Sequence, residues 1–284
     1  MKKTFLLLLL SVFINTISAQ QKAAYILYNS KGKKVSYKKM IRVLSEKDIV
    51  LFGEFHNNPI SHWLELSVAK DCGGLRDLVL GAEMFEQDNQ QALDLYLQGK
   101  INDKEFDSSV RLWKNYNTDY APLVKYARER KLSFAASNIP RRYAAIVAKG
   151  GFEALDTIPL EQKAWIAPLP IAYDPELPGY KKIKEMLPGH GGDNLPKAQA
   201  IKDATMAHFI LQYFKPGSLF IHYNGAYHSE NYEGIVWYLK KQQPGLKYAT
   251  ITTVSQKDIS SLSAENKYKA DFIICVDQEM TTTY

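Results

Sequence analysis

Ile49-Val50-Leu51-Phe52-Gly53-Glu54-Phe55-His56 and Phe220-Ile221-His222-Tyr223-Asn224-Gly225-Ala226-Tyr227-His228 are two versions of one pattern: a short, largely apolar run, a glycine, and a histidine three positions on. A short continuous apolar run is what a strand covered on both faces requires, because neither set of alternating side chains meets water. Glycine lets the chain turn tightly where the strand ends. Each histidine therefore leaves the carboxyl end of a buried strand. In open parallel sheets ligands bind at that edge, because the loops there form a crevice and the following helices present unpaired N–H groups.

Strand and helix alternate outward from these anchors. After Tyr25 to Tyr28 and the turn Asn29-Ser30-Lys31-Gly32, which suggest a short hairpin arm, a helix starts near Ser36. Asn58 and Pro59 open a helix whose Ile60, Trp63, Leu64 and Val68 fall on one side, and Gly73-Gly74 ends it. Further strands are expected at Leu78–Ala82, Ser133–Ala136, Tyr248–Val254 and Phe272–Val276. Helices are expected at Asn89–Gln98, Pro122–Arg130, from Pro140, from Pro196 to about Phe214, and through Ile235–Leu239. From Thr157 to Leu195, six prolines and the tip Gly189 to Gly192 mark an insertion or lid. The reading is an α/β fold, a largely parallel sheet with helices on both faces and a proline-rich insertion.

The amino terminus has a different character. Lys2 and Lys3, the apolar stretch Phe5 to Ile14, and Ile17-Ser18-Ala19 have the layout of a secretory signal peptide cleaved after Ala19. Its core is too short to span a bilayer, and no later stretch is longer. Gln20 follows the cleavage point where a lipid anchor would need cysteine, so the expectation is a periplasmic or secreted protein without lipid. The remaining 265 residues suit one large α/β domain. Loss of the two leader lysines lowers the formal charge of +6 to +4, spread along the chain, which does not imply nucleic acid. Cys72 and Cys275 fit no zinc or redox spacing, and no disulfide is expected.

Four strand ends would offer Glu54, His56, Glu83, Asn138 and His228 along one edge. This set has the atoms to hold a divalent metal ion, with His56, Glu83 and His228 as ligands, or to do acid–base work on water through Glu54, His56, Glu83 and His228. The competing readings are that Glu54 caps the helix at Pro59 and that Glu83 pairs with Arg141 or Arg142. The segments LFGEFH, GAEMFEQDNQQALDLYLQG, YAPLVKYARERKLSFAASNIPRR, KDATMAHFI and NGAYH occur in this order between Ile49 and His228. Together they resemble the ChaN-like haem-binding family of the Tiki-like superfamily.

That resemblance implies an α/β fold, haem held through a tyrosine in a pocket that a homodimer can close, and a part in iron acquisition. It matches Glu54, His56, Glu83 and His228 to the superfamily's polar site and Arg141 to its basic position. Elsewhere in the superfamily paired Gly-x-x-His motifs serve metal-dependent peptidases and esterases. A metal-dependent hydrolase is thus the alternative to a haem-binding protein, although Ala226 departs from the polar residue common beside the second glycine. Tyr173, Tyr180 and Tyr213 are the candidate haem ligands, with His190 and His208 as alternatives.

Overall fold

The computed structural model describes residues 23–186, 192 and 194–284, so the leader and His190 lie outside the described residues. Among these residues seven strands, β1 (Tyr25–Asn29), β2 (Ile49–Glu54), β3 (Leu78–Glu86), β4 (Ser133–Asn138), β5 (Leu219–Gly225), β6 (Tyr248–Gln256) and β7 (Phe272–Asp277), form one sheet in the order β1-β7-β6-β2-β5-β3-β4. All neighbouring pairs are parallel except β1 with β7. The expected hairpin arm is therefore replaced. Tyr25–Asn29 pairs with the distant Phe272–Val276, and the return leg survives as a single bridge between Tyr28 and Lys34. Long-range pairing with the apolar β7 buries more of the strand than a short polar return leg could.

Among the described residues ten α-helices connect and cover the strands: α1 (Tyr37–Ser45), α2 (Pro59–Gly73), α3 (Gln90–Leu97), α4 (Asp103–Ser109), α5 (Ala121–Glu129), α6 (Arg141–Gly150), α7 (Leu160–Lys163), α8 (Pro178–Met186), α9 (Asn194–Tyr213) and α10 (Ile235–Gln242). On one face Val50, Phe52, Leu80, Ile221 and Tyr223 pack with side chains of α1, α2, α3 and α5. On the other, Ile49, Leu51, Val79 and Phe220 meet α9 and α10. Both faces are covered, as the continuous apolar runs require. Each large aliphatic or aromatic side chain buried this way contributes about 1.5–3 kcal/mol.

Two helices differ instructively from their apolar patterns. In α2 the cap is Asn58, whose carboxamide accepts from Ile60 and Ser61, so Glu54 is not the cap. Trp63 is 55% exposed, while the polar Ser61, His62 and Glu65 are buried. The inward face of α2 is thus partly polar. α9 is buried over most of its circumference, because it lies between the sheet, α6, α8 and α10.

The proline-rich segment lies against the body. Ile158 and Ile166 join a cluster with α6 and α9. Ala167 N–H donates to Thr205, and the Tyr238 hydroxyl donates to the Ala172 carbonyl. Cys72 and Cys275 are free, buried thiols, and burial pushes them up to about 12 and about 11. No described helix is long and apolar enough to cross a membrane.

Candidate functional site

Strand β5 lies between β2 and β3, so both Gly-x-x-His loops and Glu83 emerge at adjacent carboxyl ends. β3 pairs with β5 as far as Ala82 and shifts register against β4 between Ala82 and Glu86. An irregularity of this kind re-aims side chains at a sheet edge, and Glu83 meets the β5 loop there. Glu83 Oε2 accepts from Gly225 N–H at 2.8 Å, and Oε1 lies 3.2 Å from His228 Nε2. Glycine at 225 leaves room for the imidazole: a Cβ there would lie 2.8 Å from His56 Nε2 and 3.5 Å from Glu83 Oε2, so His56 would have to shift.

Each histidine is oriented from behind by a carboxylate. His56 Nδ1 is 2.7 Å from Glu54 Oε1, and His228 Nδ1 is 2.5 Å from Asp203 Oδ1 on α9. An N–H held in this way leaves the opposite ring nitrogen for a ligand. His228 Nε2 faces Glu83, and His56 Nε2 points to the same side of Gly225. Burial works against charge on His228, but Glu83 and Asp203 outweigh it and raise its pKa to about 10. Glu83 is likewise desolvated, yet His228, His56 and the Gly225 amide lower it to about 2. Burial raises Asp203, opposed by His228 and by the Tyr180 hydroxyl, which donates at 3.0 Å.

Glu54 borders this cleft, but its fully buried carboxylate also reaches a second, closed pocket of side chains behind it. Its Oε1 also accepts from Tyr120, and its Oε2 lies 3.0 Å from His62 Nδ1, which is 3.5 Å from Glu65 Oε2. Burial opposes charge on Glu54, but the neighbouring imidazoles of His56 and His62 hold it below the usual carboxylate range. Burial and the charge of Glu54 push Glu65 well up. Against its own desolvation, His62 is raised to about 11 by Glu54 and Glu65. Asp119 and Asn115 close the pocket from the single-turn π-helix segment that precedes α5.

The structure thus brings His56, Glu83 and His228 to one cleft edge and makes Glu54 the orienting partner of His56. Two adjoining clefts open there. One, of about 550 Å³, is lined by His56, Gln199, Gly225 and His228; the other, of about 640 Å³, by Glu83, Trp113, Asn138 and Arg141. Asn138 donates to the Glu83 carbonyl, as its strand end requires. Glu83 pairs with neither arginine: Arg141 is 66% exposed and bonds Glu86, and Arg142 bonds Asp88. A larger cleft of about 770 Å³ at the opposite edge, beside Arg76 and Lys215, gathers no imidazole.

The candidate tyrosines separate. Tyr180 is buried with its phenol committed to Asp203, and burial plus that carboxylate push its pKa far above the usual range, so it is a poor phenolate. Tyr213 ends α9 beside Ser133 and Gly99, at the amino edge of the sheet and roughly 20 Å along the helix from Gln199. His208 stands beside Phe209, and burial lowers its pKa. Tyr173 lines a cleft of about 440 Å³ with Tyr180, Lys181, Lys184, Pro196 and Lys197. Arg141 lines a different cleft, so the cations beside Tyr173 are these lysines.

Asp203, His62, Glu65 and Tyr120 had no motif to announce them. The signal available was helical register: His62 and Glu65 are one turn apart on α2, and Asp203 interrupts the alanine-rich face of α9.

Residues 40–239 match the family described as haem-binding uptake, Tiki superfamily, ChaN. This chain belongs to that family. The ChaN-like chain is similar to the structure reporting cofacial haem binding to ChaN of Campylobacter jejuni. The two are 17% identical over 88% of this chain and 96% of that one, with a TM-score of 0.66. It is also similar to a Bacillus cereus protein, at 11% identity over 89% and 94% of the two chains and a TM-score of 0.53. At such identities the likeness establishes the fold. No curated protein matches the chain. The ChaN-like match excludes β1, β6 and β7, which nevertheless complete the sheet.

Proposed function

We propose that this ChaN-like protein is an exported haem-binding protein serving haem or iron acquisition, and the observation that carries the reading is the family match over residues 40–239. The cleft between the insertion and the start of α9 suits such a ligand. Its volume of about 440 Å³ is in the range of cofactor sites. Tyr173 offers a phenol, and Lys184 and Lys197 offer cations for two carboxylates, while Lys181 is paired with Glu176 of the same cleft. Tyr173 packs edge-on against Phe152 and beside Tyr180, which fixes its ring. Phenolate is a hard anionic donor, so haem held by it is stabilised as ferric and released on reduction. A second copy of the chain covering the open side of the cleft would exclude water from it. Arg141, on its separate cleft, is assigned no part in this site.

Titration of the purified protein with ferric haem, followed by visible absorption, tests the reading. Saturable binding with a tyrosinate spectrum that Tyr173→Phe abolishes supports it, and absence of binding refutes it. Recovery of Gln20 as the amino terminus of the exported protein checks the leader, and light scattering with and without haem checks the dimer.

One observation favours a second reading, a metal-dependent hydrolase: two histidines are each held at Nδ1 by a carboxylate, with His228 Nε2 facing Glu83 and His56 Nε2 on the same side of Gly225. In that case Glu54 and Asp203 orient the rings, and His56, Glu83 and His228 bind the ion and move protons. Manganese- or zinc-dependent cleavage of an ester or peptide that Glu83→Gln removes would establish it.

A further inference from the structure

Glu54 Oε2, His62 Nδ1 and both oxygens of Glu65 are buried and have no hydrogen-bond partner. These are not scattered defects. Glu54, His62 and Glu65 each present a donor atom within 4.8 Å of the others. Native proteins pair buried polar atoms, so four orphans converging on one point require an explanation. We propose that Glu54, His62 and Glu65 form a binding site for a divalent transition-metal ion, separate from the open cleft of His56, Glu83 and His228.

The tautomer of His62 supports this. Its Nε2 lies 3.2 Å from the His56 carbonyl and 3.4 Å from Asp119 Oδ2, atoms that only accept. Nε2 therefore carries a proton, and in the neutral ring Nδ1 is a lone pair facing two carboxylates. A metal-ligating histidine has this arrangement, with its distal N–H on a carbonyl or carboxylate. The spacing agrees as well. Ligand atoms about 2.1 Å from one ion are roughly 3.0 Å apart in an octahedron and roughly 3.4 Å apart in a tetrahedron, against 3.0 and 3.5 Å from His62 Nδ1 to Glu54 and Glu65.

Protons are the competing occupants. Without an ion the two carboxylates favour a second proton on His62, yet its Nδ1 makes no aligned hydrogen bond to either of them, and an ion would displace that proton. Two carboxylates and a neutral imidazole carry charge −2, which a divalent ion cancels. One nitrogen and several oxygen donors suit Zn²⁺ or Mn²⁺ better than Mg²⁺ or Ca²⁺. The ion would also fix Glu54, whose Oε1 orients His56, so the closed pocket would hold one wall of the open cleft in place.

The test uses the full chain, stripped with chelator, loaded with Zn²⁺ or Mn²⁺ and dialysed. We expect one retained ion per chain in the wild type and in Glu83→Gln, fewer than about 0.1 in Glu65→Gln, and proton release on loading because the ligands must be deprotonated. Anomalous diffraction at the zinc edge from wild-type crystals should place the ion between Glu54, His62 and Glu65, whether or not the variant folds. A peak beside His56, Glu83 and His228, an ion lost from Glu83→Gln but kept by Glu65→Gln, or no ion retained by the wild type would each overturn the assignment. The last outcome would leave protons in the pocket.

Discussion

The open cleft around Glu83 and the closed pocket around Glu65 are built from the same groups, carboxylates and imidazoles, and share Glu54, yet they differ in how their charges are met. In the cleft both carboxylates have donors: Gly225 N–H and His228 serve Glu83, and Asp203 receives His228 and Tyr180, while the orphan there is the neutral Asn138 Oδ1. In the pocket, acceptors face acceptors. The side chains alone do not make this difference. Backbone N–H groups at a strand end supply the cleft, whereas the pocket is walled by the middle of α2, whose N–H groups are already used.

Glu54→Ala breaks the comparison most directly, because it strikes both regions. It leaves His62 and Glu65 buried without their partner, and unfolding in urea should show a loss of about 3–5 kcal/mol. By contrast, Glu83→Gln preserves volume and the Gly225 contact and should cost less than half as much.

Acid and alkali sharpen the comparison next. His228 is raised to about 10 from 6.5, so its contribution is complete below pH 6.5 and is lost as pH rises toward 10. Glu83 is lowered to about 2 from 4.5, so its contribution is present above pH 4.5 and is lost as pH falls toward 2. Denaturation midpoints should therefore plateau between pH 4.5 and 6.5. His228→Gln should flatten the alkaline limb, an effect on the order of 2–4 kcal/mol. If that limb is unchanged in the variant, the Glu83–His228–Asp203 chain does not stabilise the fold.

Gly225→Ala probes the cleft alone. The new methyl displaces His56, which is half-exposed and can move, so the stability loss should be about 1 kcal/mol. The imidazole resonances of His56 should shift while those of His62 stay in place. The smallest effect is expected from Tyr213→Phe: because Tyr213 is at the far edge, the spectrum of added haem should equal that of wild type while Tyr173→Phe changes it.

The sheet was legible because a doubly covered strand needs a largely apolar run, and Ile49–Phe52 and Leu219–Tyr223, broken only by the buried His222, are such runs. His56, Glu83 and His228 were legible as residues at strand ends. What the sequence hid was side-chain direction on the helices. His62 and Glu65 interrupt an apolar stripe and look like solvated positions until the turn carrying Tyr120 closes over them. Asp203 is equally obscure, since only the fold brings α9 against the loop after β5. Among the tyrosines, position in the chain misled: Tyr173 and Tyr213 bracket one stretch, but α9 carries the second to the opposite edge.

Tyr180 has a consequence beyond its own cleft. Its ring is part of the wall of the insertion cleft, and its hydroxyl holds Asp203, which holds His228. The two clefts are therefore joined by a relay of two hydrogen bonds, Tyr180 to Asp203 and Asp203 to His228, so that a change in the position of that ring would be felt at the imidazole.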